Sequence, residues 1–196
     1  MSHPTDIWNK IVLCYPSCKE LFLNSPVIKK ITPSGLAVPA AITKIVIGQM
    51  LSRAAASTIF QRAANLADTL GTKPWLLSKQ NLISCGISSR KAETIIFFGT
   101  QYEQNMYDFE MWPSLEYEHL EKIICSFPGL GEWSTAILCL FHFGHEDIFP
   151  STDGTIKRAL RAICDKYQFQ LNPLLAKPYR SYLSLYLWQA IDLNLV

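Results

Sequence analysis

Phe127-Pro128-Gly129-Leu130-Gly131 is followed, 22 residues after its second glycine, by Asp153 in the stretch Ile148-Phe149-Pro150-Ser151-Thr152-Asp153-Gly154-Thr155-Ile156-Lys157-Arg158. The first of these segments lies between two apolar runs of helical period. Proline fixes one backbone torsion there, and two glycines one residue apart permit positive φ while keeping side chains off the surface. Backbone N–H groups in such a turn, reinforced by the start of the next helix, can approach a phosphate closely. Taken alone, the segment reads first as an ordinary tight turn between helices.

Working outward, the apolar spacing is helical almost everywhere, and no alternating strand pattern or Asn-Gly hairpin occurs. Short helices are expected over Ile7–Cys14, stopped before Pro16, and over Trp75–Ile83. A strongly apolar helix is expected from Ala40 through Ile42, Ile45, Val46 and Ile47 up to Gly48-Gln49. Ser52 can cap the next, whose Ala54, Ala55, Ala56, Ile59 and Ala63 allow close packing. Ser88 or Ser89 can cap a helix carrying Ile95, Ile96 and Phe98. Leu120–Cys125, Trp133–Phe143, Thr155–Tyr167 and Tyr179–Ile191 complete the set. Pro26–Pro39 and Gln101–Pro113 read as linkers. The expected fold class is all-α.

At 196 residues, with 49% hydrophobic and 17% charged residues, the chain suits a compact globule with a substantial core. The net charge of +2 neither demands nor excludes a nucleic-acid partner, because a local patch matters more than the total. No apolar run approaches the roughly 20 residues that span a bilayer. The opening Met1-Ser2-His3-Pro4-Thr5-Asp6 lacks the basic and apolar regions of a signal peptide, so a cytoplasmic protein is expected. The six cysteines are scattered, mostly in apolar stretches, and read as buried free thiols.

Phe127 to Ala136, followed at this spacing by Asp153, resembles the helix-hairpin-helix DNA glycosylase superfamily. Three further segments resemble its bacterial 3-methyladenine DNA glycosylase II branch: Ile47-Gly48-Gln49-Met50-Leu51-Ser52, Gly86-Ile87-Ser88-Ser89-Arg90-Lys91-Ala92-Glu93, and Lys177-Pro178-Tyr179-Arg180-Ser181-Tyr182 running on to Trp188. The resemblance covers about residues 36–190 in order. It implies a single domain over 1–196, a two-lobed helical bundle with the active-site cleft between the lobes. The first 35 residues are too few for the small β-domain of that bacterial enzyme. The cysteine cluster of the endonuclease III branch has no counterpart after Asp153, so no iron–sulfur cluster is expected. Glu132 stands where a basic residue commonly follows the hairpin, and a carboxylate beside a phosphate is repulsive.

The resemblance also implies roles. Breaking a C1′–N bond develops positive charge on the sugar, which a fixed carboxylate stabilises while orienting the attacking water. Asp153 is the candidate for this task, and it is also well placed to cap the helix starting near Thr155; the two roles can coexist. Bifunctional relatives carry a lysine nucleophile two residues after the second hairpin glycine. Trp133 stands there instead, and an indole cannot be that amine. A monofunctional enzyme follows, removing damaged bases, alkylated purines first, in base excision repair. The alternative is a helix-hairpin-helix protein that binds distorted duplex with little or no glycosylase activity.

Trp133 and Trp188, with Tyr182 behind them, match positions lining the family's base pocket, where electron-rich rings attract a cationic alkylated base. Met50 matches the wedge that fills the gap left by a flipped base; a core methionine is the competing reading. Gln49 and Ser52 are its candidate neighbours in the minor groove. Pro128, Gly129, Leu130 and Gly131 would meet the DNA backbone. Further phosphate contacts could come from Lys29, Lys30, Arg53, Arg90, Lys91, Lys157 and Arg158. The carbonyls of Cys125, Phe127 and Leu130 could hold a structural Na+ or K+; no other cofactor is required. His142 and His145 read as surface or capping residues. The expected partner is double-stranded DNA containing a damaged base, met by a monomer, with no membrane.

Overall fold

The computed structural model describes residues 3–196; Met1 and Ser2, which open the stretch read for a targeting signal, lie outside the described residues. Ten α-helices follow one another with short 3-10 turns between them, and no strand occurs among the described residues. The chain divides into two compact units, one built from residues 3–33 together with Cys139–Val196, the other from Ser34–Leu138. No helix among the described residues is long and apolar enough to cross a membrane.

The discontinuous unit contains α1 (Pro4–Cys14), α2 (Lys19–Leu23), α9 (Gly154–Tyr167) and α10 (Arg180–Asp192). His3 opens α1 as a capping box, with its ring accepting the Thr5 N–H while Asp6 accepts the His3 N–H. Ile7 and Ile11 of α1, Ile156, Ala159 and Ile163 of α9, and Tyr182, Leu183, Tyr186, Leu187 and Ala190 of α10 form one core. Their three- and four-residue spacing places each set on a single helix face. Burying each isoleucine or leucine contributes about 1.5–3 kcal/mol. The irregular segment after α2 is pinned to the same core, because the Ile28 and Ile31 N–H groups donate to the hydroxyls of Tyr186 and Tyr182.

The continuous unit contains α3 (Val38–Gly48), α4 (Arg53–Thr69), α5 (Lys79–Ser84), α6 (Ser89–Glu103), α7 (Tyr117–Cys125) and α8 (Glu132–Ile137). Helix α3 packs against α4 and α6, and Ile42, Ile45, Val46 and Ile47 are all buried. Close approach requires Gly99 on α6: a Cβ there would lie 2.7 Å from the Trp75 carbonyl oxygen. Phe98, Phe109, Trp112 and Phe127 add an aromatic cluster with ring centroids 4.7–6.3 Å apart.

Several expected boundaries shift, each for a local reason. The single helix expected over Trp75–Ile83 is two elements, a 3-10 turn at Pro74–Leu76 and then α5, because the Ser78 hydroxyl accepts the Asn81 N–H and starts a new helix. The linker expected from Gln101 begins later, since α6 runs on to Glu103, and it contains a 3-10 helix, Phe109–Ser114, that buries Phe109 and Trp112. The helix expected over Trp133–Phe143 changes its hydrogen-bond pattern: α8 ends at Ile137 and a π-helix follows over Leu138–Phe143. Cys18, Cys85 and Cys139 are buried, but Cys14 is half-buried and Cys125 and Cys164 are exposed, so thiol burial holds for only half of the set.

Candidate functional site

In the Ser34–Leu138 unit, α7 and α8 flank the hairpin of residues 126–131. Phe127 and Leu130 turn inward and are buried, while Pro128 and Gly129 are exposed. Leu130 therefore anchors the turn with its side chain and leaves only its backbone to face a ligand. Gly129 has φ +83°, and a Cβ there would collide with the Thr94 hydroxyl oxygen. The second glycine differs from expectation: Gly131 is extended at φ −161°, a conformation open to any residue. It is the N-cap of α8 and, as glycine, offers that helix no side-chain cap. Glu132, exposed in the first turn of α8, stands at that same helix start. Trp133 follows, half-buried.

The turn after α3 carries Met50 at φ +57°, a left-handed conformation unusual for a residue with a side chain. Its side chain is 100% exposed, which removes the core-methionine reading. Gln49 and Ser52 are engaged within the fold. The Gln49 side-chain amide donates to the Gly129 carbonyl (3.0 Å) and to the Ser134 hydroxyl (3.3 Å). Ser52 caps α4 by accepting the Ala55 N–H. Lys91 is likewise no surface cation for phosphate. Its ammonium donates to the Ile47 carbonyl at 2.9 Å and the Gln49 carbonyl at 2.6 Å, and burial lowers its pKa. That role is missing from the sequence reading, where nothing marks which helix end a lysine will reach.

In the other unit, Asp153 is the N-cap of α9. One carboxylate oxygen, Oδ1, accepts the N–H groups of Thr155 and Ile156, both at 2.9 Å, and the indole N–H of Trp188 at 3.0 Å. A carboxylate held by two backbone donors and one ring donor is fixed in direction. The Trp188 ring stacks on Phe141, centroids 5.7 Å apart and planes inclined by 27°. Phe141 is 47% exposed at the π-helical segment and lines a groove of about 230 Å³ with Ile28, Ile31, Leu140 and Leu185. Nothing in the sequence marks Phe141, because a phenylalanine in an apolar helical run looks like core.

Tyr182 must be moved out of the base pocket. It is 1% exposed within the core of its unit, its hydroxyl donating to Glu146 and accepting the Ile31 N–H. His142 is also buried, rather than on the surface, and burial lowers its pKa. Of the other basic residues, Lys29, Lys30, Arg53, Arg90, Lys157 and Arg158 are exposed.

The Phe127 carbonyl accepts the Leu130 N–H at 3.1 Å, and among the described residues no backbone hydrogen bond reaches the carbonyls of Cys125 or Leu130. These uncharged oxygens lie next to a helix C-terminus, the negative end of its dipole, where positive charge is favoured.

An all-helical chain with this hairpin and a helix-capping aspartate beyond it has the fold of the helix-hairpin-helix DNA glycosylases. The 3-methyladenine DNA glycosylase Mag1 of Schizosaccharomyces pombe, solved in complex with abasic DNA, superposes with a TM-score of 0.77 at 19% identity, over 93% of this chain and 96% of its own. The 3-methyladenine DNA glycosylase of Archaeoglobus fulgidus gives 0.77 at 16% identity, over 98% and 71%. The Clostridium acetobutylicum 8-oxoguanine glycosylase/lyase, solved with DNA, gives 0.73 at 13% identity, over 100% and 72%. In sequence, the Bacillus subtilis (strain 168) protein YfjP, whose name places it provisionally among the DNA-3-methyladenine glycosylases, is 27% identical over 169 residues. That alignment covers 76% of this chain and 57% of the length of YfjP. No family model matches the chain.

Proposed function

We propose that this chain is a monofunctional DNA glycosylase that removes alkylated purines from duplex DNA in base excision repair. The observation that carries the reading is the fixed Asp153 carboxylate, held by two backbone N–H groups and Trp188. Similarity to YfjP and to the 3-methyladenine glycosylase structures supports the substrate class.

In this reading the hairpin meets the DNA backbone through the N–H groups at the start of α8, and Met50 enters the gap left by the extruded base. The Cys125, Phe127 and Leu130 carbonyls would hold Na+ or K+, adding positive charge for the phosphate. Trp188 offers aromatic surface that suits a cationic alkylated purine. Such a base already leaves readily, so the protein needs no separate acid. Asp153 stabilises the positive charge that develops on the sugar and directs water to C1′. Trp133 supplies no amine, so no Schiff base forms and the strand remains uncut. The protein works as a monomer in the cytoplasm, on the nucleoid.

Duplexes carrying a single 3-methyladenine, ethenoadenine, hypoxanthine, uracil or 8-oxoguanine, followed by alkali to reveal abasic sites, test this. Release of an alkylated purine that is abolished in Asp153→Asn is the expected result. Cleavage that survives in Asp153→Asn overturns the catalytic assignment, and scission without alkali overturns the monofunctional one. Exposed Glu132 at the start of α8 favours a second reading, a binder of distorted duplex. Tight binding to lesion DNA with no base release from any substrate would establish it.

A further inference from the structure

Met50 stands fully exposed on a left-handed turn, a conformation that a non-glycine residue does not hold without support. The support is visible in the same unit. Lys91, in the first turn of α6, reaches across to the end of α3 and donates to the carbonyls of Ile47 (2.9 Å) and Gln49 (2.6 Å), the residues that lead into Met50. Those carbonyls belong to a helix C-terminus, where intrahelical partners run out and a cation is favoured. From the other side, the Gln49 amide is tied to the Gly129 carbonyl in the hairpin and to Ser134 in α8. The ammonium, the turn and the hairpin thus form one connected network.

We infer that Lys91 is a positioning residue for DNA distortion: by closing the end of α3 it presets the Met50 turn, and through Gln49 it joins that turn to the hairpin as one rigid DNA-reading element. The inference rests on the reading that Met50 enters the duplex, and goes beyond it by naming what holds Met50 ready. Without the ammonium, the two carbonyls lose their donor and the turn populates other conformations. A binding-competent turn occupied only a fraction of the time weakens lesion binding by that fraction, while non-specific binding is unaffected. Lys91 need not touch DNA to have this effect.

Equilibrium binding to two duplexes tests it, one intact and one with a tetrahydrofuran abasic analogue, using wild-type, Met50→Ala, Lys91→Met, Lys91→Arg and the double variant Lys91→Met/Met50→Ala. Thermal melting accompanies each. The expected result is a preference of the wild type for abasic duplex that falls about tenfold in Lys91→Met, with binding to intact duplex changed less than about twofold. Lys91→Arg, which keeps a donor cation, recovers part of the preference. In the Lys91→Met background, Met50→Ala produces little further loss, because both changes remove the same preset turn. A Met50→Ala loss with no Lys91→Met loss, or fully additive losses, overturns the inference and leaves the wedge reading standing. A wild type with no preference for abasic duplex, or one whose preference survives Met50→Ala, overturns both. If Lys91→Met does not fold, Gln49→Leu supplies the same test from the hairpin side, with the same pair of outcomes.

Discussion

Asp153 has two duties that mutation can separate. As a cap, its oxygen satisfies the Thr155 and Ile156 N–H groups, and asparagine caps a helix about as well as aspartate. As a carboxylate it carries a charge that asparagine lacks. Asp153→Asn is therefore expected to melt close to wild type while losing base release by about a hundredfold or more. Asp153→Ala should lose the same activity and also about 1 kcal/mol of stability. Thermal melts run beside single-turnover excision distinguish these patterns, and an Asp153→Asn protein that melts well below wild type would contradict the division of roles. Trp188 sharpens the point. Trp188→Phe keeps a ring against Phe141 but removes the N–H donor to Asp153. Losing one charge-assisted hydrogen bond should slow excision about tenfold, with substrate affinity nearly retained. An unchanged single-turnover rate would show that the indole N–H does not set the carboxylate's direction.

Among the elements, the hairpin shows what local pattern reveals and what it hides. Proline and two glycines between helical runs are enough to place the turn, and Ser52 and Asp153 mark true helix starts because a cap acts within three residues of itself. The same pattern treats Gly129 and Gly131 alike. Only the structure separates them, since the Thr94 hydroxyl that crowds Gly129 comes from a helix 35 residues earlier. Gly129→Ala should destabilise the protein by about 1–3 kcal/mol, from the left-handed backbone and the contact with Thr94. Gly131→Ala should cost less, about 0.5–1 kcal/mol, since alanine is only a poorer N-cap than glycine, with any further effect falling on DNA affinity. Chemical denaturation of the two variants checks the contrast; equal losses would refute it. Lys91, Phe141 and the π-helical turn escaped the sequence for a related reason. A lysine's reach, a ring's exposure and an extra residue per turn depend on neighbours far along the chain.

For the whole molecule, the all-helical architecture was legible from apolar period alone, because each helix buries one face in a core of its own unit. Which aromatics serve the core and which face outward was not legible. Tyr182 lies in a segment that resembles the family and yet is buried, whereas Phe141 lies in an apolar run and is half-exposed. Burial also gives the protein a pH dependence. His142 is buried, and this lowers its pKa below the ordinary value of 6.5. The unfolded chain then binds the proton more readily than the folded one, so stability rises with pH in this range. The stabilising contribution is complete above the unfolded value and is lost as pH falls below it toward the lower folded value. Melting temperature should therefore drop between pH 7 and pH 5 by more in wild type than in His142→Gln. Parallel slopes for the two proteins would remove His142 as a source.

A thioether held wholly in water at the tip of a turn is open to peroxide and other two-electron oxidants. Oxidation to the sulfoxide would make Met50 polar and chiral, unsuited to sliding between stacked base pairs. Mild peroxide treatment is expected to oxidise Met50 ahead of the partly exposed Met106 and Met111, seen by peptide mass, with loss of abasic-duplex preference and no change in helicity. Methionine sulfoxide reductases would restore it. On the function proposed above, the residue that meets damaged DNA would itself be open to chemical damage.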